Sequence, residues 1–347
     1  MPDIQQLIRP HISGLVPYST ARDEYTGTIG IFLDANENSF GSIVDKGYHR
    51  YPDPYQKKVK KLISMVNGIP ESSIFLGNGS DEIIDLIIRL FCIPGKDSIV
   101  ITPPTYGMYE VCARVNDVKV MPVSLTIDFQ LDTQGIMAAS GSNPKILFLC
   151  TPNNPSGNDL DKGAVIRLIE EFRGIVVIDE AYGDFSGAES YSAQLPSHHN
   201  LIILRTFSKA WGMAGLRLGV AFADERLIDY LNKIKPPYNV NQATQELAIK
   251  ALSRVKKKDQ TVKKIIKERE ILVKNLTGLP IVEKVYPSDA NFLLVRFRDS
   301  EKVFRYLLSK LIIVRNRSRV NLCGNSLRIT IGTSNENKLL MAALKKF

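Results

Sequence analysis

Lys209 stands in the run Thr206-Phe207-Ser208-Lys209-Ala210-Trp211-Gly212-Met213-Ala214-Gly215-Leu216-Arg217-Leu218-Gly219. The run supplies one amine, two hydroxyls (Thr206 and Ser208), a guanidinium eight residues on at Arg217, and three glycines that let backbone come close. Together these groups suit a phosphorylated aldehyde. The amine condenses with the aldehyde as a Schiff base, while the hydroxyls and Arg217 hold the phosphate.

Other segments offer complementary chemistry. The turn Gly77-Asn78-Gly79 leads into a helix that starts at Ser80 or Asp81. The third glycine of a G-x-G-x-x-G dinucleotide fingerprint would fall on Glu82, so that reading fails. A glycine turn at a helix start still favours an anion, through free N–H groups and the helix dipole, so Gly79, Ser80 and Asp81 suit a phosphate. Asp179 closes the apolar run 175–178 and is followed by Glu180-Ala181-Tyr182. A carboxylate at the C-terminal end of a parallel strand faces the ligand crevice of such a sheet. Asn153-Asn154-Pro155-Ser156-Gly157 and Pro103-Pro104-Thr105-Tyr106-Gly107 each follow another apolar run.

These positions need a scaffold, and the patterning supplies one. Apolar runs at 98–101, 118–123, 145–149, 174–178, 201–204 and 218–221 read as buried strands, with a further strand ending at Leu76. Helical patterns separate them, at 55–67, from residue 80 or 81 to Phe91, and over 164–172. Short apolar strands alternating with amphipathic helices predict a largely parallel α/β sheet. From about residue 225 to 276 long helical segments dominate, interrupted at Pro236-Pro237. The tail then reads strand (291–297), helix (300–311), strand (312–314), strand (327–331) and a helix from Ser334, a smaller α+β unit. The first fifty residues read as irregular. The expected organisation is an N-terminal arm and part of the small domain over 1–44, a large domain over 45–240, and a small C-terminal α+β domain over 241–347.

The ordered set Asn154, Asp179, Lys209 and Arg217 resembles the fold-type I aminotransferases that depend on pyridoxal 5'-phosphate. The resemblance implies that fold: a large domain with a mostly parallel central sheet flanked by helices, plus a smaller α+β domain. It implies that Lys209 carries the cofactor and moves the proton, that Asp179 keeps the pyridine nitrogen protonated, and that Asn154 donates to the ring hydroxyl. Tyr182 is implied to donate to the same ring oxygen, and Tyr106 to stack on the ring. Arg328, before Ile329-Thr330-Ile331, matches the arginine that grips a substrate anion, and Arg315 matches a second one. The segments Leu33-Asp34-Ala35-Asn36-Glu37-Asn38, Arg50-Tyr51-Pro52-Asp53-Pro54 and P-x-Y-G-M-Y at 104–109 are similar to those of the histidinol-phosphate aminotransferases. That narrower likeness implies exchange of an amino group between L-histidinol phosphate and glutamate/2-oxoglutarate. It implies a homodimer with shared active sites, in which Tyr51 reaches the neighbour's cofactor phosphate, and places Tyr18 near the substrate. A threonine-phosphate decarboxylase or an aromatic amino-acid aminotransferase shares the core motifs. The L-D-A-N-E-N and R-Y-P-D-P segments favour the first reading.

Composition sets bounds on the rest. Apolar content of 44% and charged content of 23% fit a globular enzyme, and no apolar stretch is long enough to span a bilayer. The N-terminal residues lack the apolar core of a signal peptide. Four scattered cysteines without paired histidine spacing argue for reduced thiols and a cytoplasmic setting, and against a metal site. The net charge of +9 is concentrated over 250–274, where Leu252, Val255, Val262, Ile265, Ile266 and Leu272 can form an apolar face opposite the lysines. This reads as a solvated helix rather than a nucleic-acid surface, since no nucleic-acid-binding motif accompanies it.

Overall fold

Strands that are apolar on both faces form the centre of the fold. In the computed structural model, which describes residues 4–20, 24, 25, 27, 29–44 and 47–347, β2 (Ser98–Ile101), β4 (Ile146–Cys150) and β5 (Ile175–Asp179) are buried at every residue. Such strands need cover on both sides. Val176 and Ile178 face one apolar layer, and Ile175 and Val177 the other. With β1 (Ile74–Asn78), β3 (Lys119–Pro122), β6 (Leu201–Thr206) and β7 (Leu218–Ala223) they make a seven-stranded sheet of order β1-β7-β6-β5-β4-β2-β3.

The pairings from β3 to β6 are all parallel. β7 runs antiparallel to both β1 and β6. The reversal follows from the short connection 207–217, which lacks the length of a helical crossover. It begins and ends at the same sheet edge, with Phe207 N–H donating to Leu218 O at 2.9 Å. The segment that carries Lys209 is thus the turn itself. It emerges beside the C-terminal end of β5, because Asp179 pairs with Leu204 in register.

A second, wholly antiparallel sheet has the order β10-β11-β9-β8, from β8 (Val282–Val285), β9 (Phe292–Phe297), β10 (Arg315–Asn316) and β11 (Ser326–Thr330). Helices Val255–Thr277, Ser300–Ser309 and Ser334–Leu344 cover it through Leu272, Leu307, Leu340 and Met341. Several details depart from the sequence reading. The strand expected at 312–314 lies instead at Arg315–Asn316, where the polar backbone finds β11 as a partner. β8 was not anticipated, because its two central residues, Glu283 and Lys284, are exposed and charged. The first residues are not irregular throughout. Short helices Ile4–Leu7 and Pro10–Ser13 bury Ile4, Ile8 and Ile12 against the large sheet's helices, where a share in the small domain was expected. Helix Gln242–Leu252 places Ala248 and Leu252 in the core under the large sheet, although the expected division at 240/241 precedes it.

A Cβ at Gly219 would lie 2.4 Å from the backbone of Gly79 and Ser80. Only glycine lets β7 pass the start of helix Ser80–Phe91 at that spacing. Gly219→Ala should therefore destabilise the protein by about 1–3 kcal/mol, the usual range for overpacking. The loss should appear as a lowered urea midpoint with the slope unchanged.

Candidate active site

The C-terminal ends of β4, β5 and β6 open into one cavity, lined by Ser80, Asp81, Tyr106, Asn154, Asp179, Tyr182, Thr206, Ser208, Lys209 and Arg217, with Cys150 and Ala181. Ten of the sequence-derived candidates meet there. The structure brings them together from four separate strand ends and one helix start.

At the floor, Asp179 is buried, and its carboxylate accepts from Tyr109 Oη at 2.8 Å and from Ala181 N–H at 3.0 Å. Burial dominates and lifts its pKa to about 6, against the lowering effect of those two donors. Tyr109 was not foreseen as a site residue. It lies three residues after Tyr106 in the P-x-Y-G-M-Y segment, in the first turn of helix Met108–Val115, and that proximity is the signal that could have found it. Its ring stacks on Phe148 with centroids 4.7 Å apart, which fixes the hydroxyl under the carboxylate.

Lys209 rises over the ring of Tyr182, with Nζ 5.4 Å from the centroid. Its pKa is lowered, first by burial and then by the positive charge of Arg328, while Asp179 acts in the opposite direction. The shift favours the neutral, nucleophilic amine. The loop is braced by its own backbone: Gly212 N–H donates to Lys209 O at 3.0 Å, and Met213 N–H to Phe207 O at 3.1 Å. Burial pushes the Tyr182 hydroxyl up, so it stays a proton donor.

The anion end is built from the start of helix Ser80–Phe91 and from Arg217. First-turn N–H groups of a helix have no intrahelical acceptor. Arg217 lies over Gly79, where a Cβ would fall 2.6 Å from its Nη2. Asp81 accepts from Arg217 Nη2 at 3.1 Å and from Tyr106 Oη at 2.9 Å. Its carboxylate therefore orients the guanidinium and the ring, and its contribution to an anion is the backbone N–H. Thr206 Oγ1 accepts from Ser208 N–H at 3.1 Å, which turns Ser208 toward the cavity.

Arg328 reaches across from the small sheet. Its Nη1 donates to Asn154 Oδ1, and its guanidinium lies 5.3 Å from the Phe292 ring centroid. With its carbonyl oxygen engaged, the Asn154 amide keeps Nδ2 free to donate. Arg315 is the cross-strand partner of Arg328. Tyr18 and Tyr51 do not line this cavity. Tyr18 is 76% exposed, and Tyr51 stacks on Tyr238 at 4.4 Å in a separate cleft with Asn36, Glu37 and Arg50. The two distinctive segments meet there: Glu37 pairs with Arg50 at 2.6 Å and accepts from Tyr51 N–H at 2.6 Å. Among the described residues no cluster of His, Cys, Asp and Glu could hold a metal ion, and no helix is long and apolar enough to cross a membrane.

The family model described as aminotransferase class I and II matches residues 33–344. The chain belongs to that family. Among curated relatives, this aminotransferase is 52% identical to a histidinol-phosphate aminotransferase of Cytophaga hutchinsonii over 344 residues, covering 99% of each chain. It is 50% identical to the enzyme so named in Bacteroides fragilis, over the whole of both chains. The solved histidinol-phosphate aminotransferase of Clostridium acetobutylicum superposes with a TM-score of 0.79 at 27% identity, covering 86% of this chain and 90% of that one.

The raised pKa of Asp179 has a consequence for stability. A carboxyl whose folded pKa exceeds its unfolded value contributes stability at low pH that is lost as pH rises through the folded pKa. The window runs from the ordinary value of 3.8 to about 6. In the cofactor-free aminotransferase Asp179→Asn removes this loss. Its unfolding free energy should exceed that of the native chain above pH 6, by on the order of 3 kcal/mol. The advantage should shrink toward pH 4 in denaturant titrations run across that range.

Proposed function

We propose that this aminotransferase exchanges an amino group between L-histidinol phosphate and 2-oxoglutarate, giving imidazole-acetol phosphate and glutamate, with pyridoxal 5'-phosphate as cofactor. The observation that carries the reading is the convergence of Lys209, Asp179, Asn154 and Arg217 in one cavity, with Arg328 at its rim. Identity of about half over the full chain to enzymes named for this reaction supports the substrate.

The residues fit the cofactor end to end. The N–H groups at Ser80 and Asp81, the Thr206 and Ser208 hydroxyls and Arg217 would take its phosphate. Asp179 would hold a proton on the ring nitrogen, and Asn154 Nδ2 with Tyr182 would donate to the ring oxygen. Tyr106 would cover one face. When bound, the group supplies an electron sink for cleavage of a bond to the substrate's amine-bearing carbon.

The chain's own residues do the rest. With its amine free in the cavity, Lys209 would serve as the general base that takes the proton from that carbon and later gives it back. Its lowered pKa favours the neutral amine, the form that accepts a proton. Arg328, with Arg315 beside it, holds the anion of each substrate in turn: the phosphate of one and the α-carboxylate of the other. A planar, permanently charged fork accommodates both.

We further propose a cytoplasmic homodimer in which Tyr51 and Tyr18 complete the partner's site. Between Leu15 and Tyr51 many large apolar side chains are exposed, among them Val16 (85%), Ile31 (92%), Phe40 (102%) and Ile43 (102%). So much apolar surface on one arm calls for a covering partner. Glu37 and the Tyr238 ring hold Tyr51 outward, away from the cavity of its own chain.

Native enzyme supplied with histidinol phosphate and 2-oxoglutarate should form glutamate. Histidinol without its phosphate should be a poor donor, because a cationic pocket would go unpaired. Release of carbon dioxide from threonine phosphate, with no glutamate from histidinol phosphate, would establish the decarboxylase instead. Lys209→Ala should lower turnover by about 10²–10⁴-fold or more.

For the shared site, Lys209→Ala and Tyr51→Phe chains should each be impaired alone. Mixed after subunit exchange, they should regain activity, since one site per heterodimer is then intact. Absence of rescue despite proven exchange would place each site within a single chain.

A further inference from the structure

The β10–β11 ladder concentrates positive charge where the fold itself has no use for it. Arg315 and Arg328 are directly opposite in register. Arg317 continues the ladder, its N–H donating to Ser326 O at 2.9 Å. Side chains two residues apart on a strand share a face. Arg315, Arg317 and Arg328 therefore project from one side of the same two strands. Like charges directly opposite on a sheet are destabilising.

None of the three guanidiniums has an ion-pair partner among the described residues. Arg328 is hydrogen-bonded to Asn154, a neutral amide. The Nε of Arg317 is buried with no hydrogen-bond partner at all. Its pKa is depressed first by burial and next by Arg328 and Arg315, and the Tyr182 hydroxyl is among the groups that act on it. Strand register puts Arg317 on the same face as Arg328. Arg296, one strand further, also has a buried Nε without a partner, but its guanidinium lies over the Tyr286 ring at 5.6 Å.

A buried, unpartnered donor on a permanent cation is costly unless a ligand satisfies it. We infer that Arg317 is a specificity-determining residue: with Arg315 and Arg328 it forms a three-guanidinium face that selects the dianionic phosphate ester over a monoanionic carboxylate. This rests on the proposed substrate pair and deepens it. One bidentate fork already engages both oxygens of a carboxylate. A phosphate monoester carries a second charge and a third oxygen, which a further guanidinium can engage.

The test separates the two halves of the reaction, each followed by the absorbance of the loaded enzyme with one substrate only. Arg317→Gln should raise the half-saturating concentration of histidinol phosphate by about tenfold or more, with its limiting rate nearly unchanged. The value for glutamate should move by less than about threefold. Arg317→Lys should recover part of the difference, because it keeps the charge and loses the fork. Arg319→Gln, at an exposed position on the same loop, should behave as native.

A second readout needs no turnover. Inorganic phosphate, titrated calorimetrically into the loaded enzyme, should bind about tenfold more weakly to Arg317→Gln. The melting temperature of that variant without phosphate should not fall, since its removal relieves repulsion. Equal effects on both substrates, or native phosphate binding, would overturn the inference. So would a lowered melting temperature, which would make Arg317 a structural residue. Failure of the native enzyme to use histidinol phosphate would instead overturn the substrate reading, and the phosphate titration would still report on Arg317.

Discussion

Opposite charges that are withdrawn from water, yet held apart, govern this site. Asp179 at the end of β5 and Lys209 line one cavity, and Arg328 reaches its edge through Asn154. If carboxylate and amine met directly, the amine would stay protonated and could not attack an aldehyde. Burial and Arg328 lower the Lys209 pKa, while Asp179 acts in the opposite direction. The carboxylate is instead satisfied by Tyr109 and the Ala181 N–H, neutral donors that leave its charge free to act on a ring nitrogen. The parallel sheet makes the arrangement possible. Asp179 and the Lys209 loop leave adjacent strands at one end, and the reversal at β7 keeps that loop short.

The anion end depends on backbone proximity more than on side chains. Gly219 lets β7 pass against the start of helix Ser80–Phe91, and Gly79 leaves room for the Arg217 guanidinium. Arg217 itself adopts a left-handed backbone with φ of 54°, which turns its side chain back toward the helix start. Asp81 then fixes both the guanidinium and Tyr106. Phosphate, ring face and lysine are set by three neighbouring turns that share these contacts.

Much of this was legible in the sequence. The central strands were readable because strands buried on both faces are uniformly apolar, and the cavity residues because each follows such a strand within a few positions. The reversed β7 was not readable, since an apolar run has no direction. β8 and the displaced β10 were missed because exposed, charged edge strands lack alternation that stands out from a loop. Tyr109 was hidden for a different reason: its value lies in a hydrogen bond to a residue 70 positions away. The place of Arg317 on the face of Arg315 and Arg328 is visible only through strand register. Glu37 and Arg50 belong to separate segments, and only the fold shows that one carboxylate ties them together.

The account stands or falls on which amine carries the cofactor. Borohydride reduction of the loaded enzyme, followed by proteolysis and mass mapping, reads that amine directly. The account predicts a single reduced adduct, on the peptide that contains Lys209. An adduct on any other lysine, with Lys209 unmodified, would contradict it.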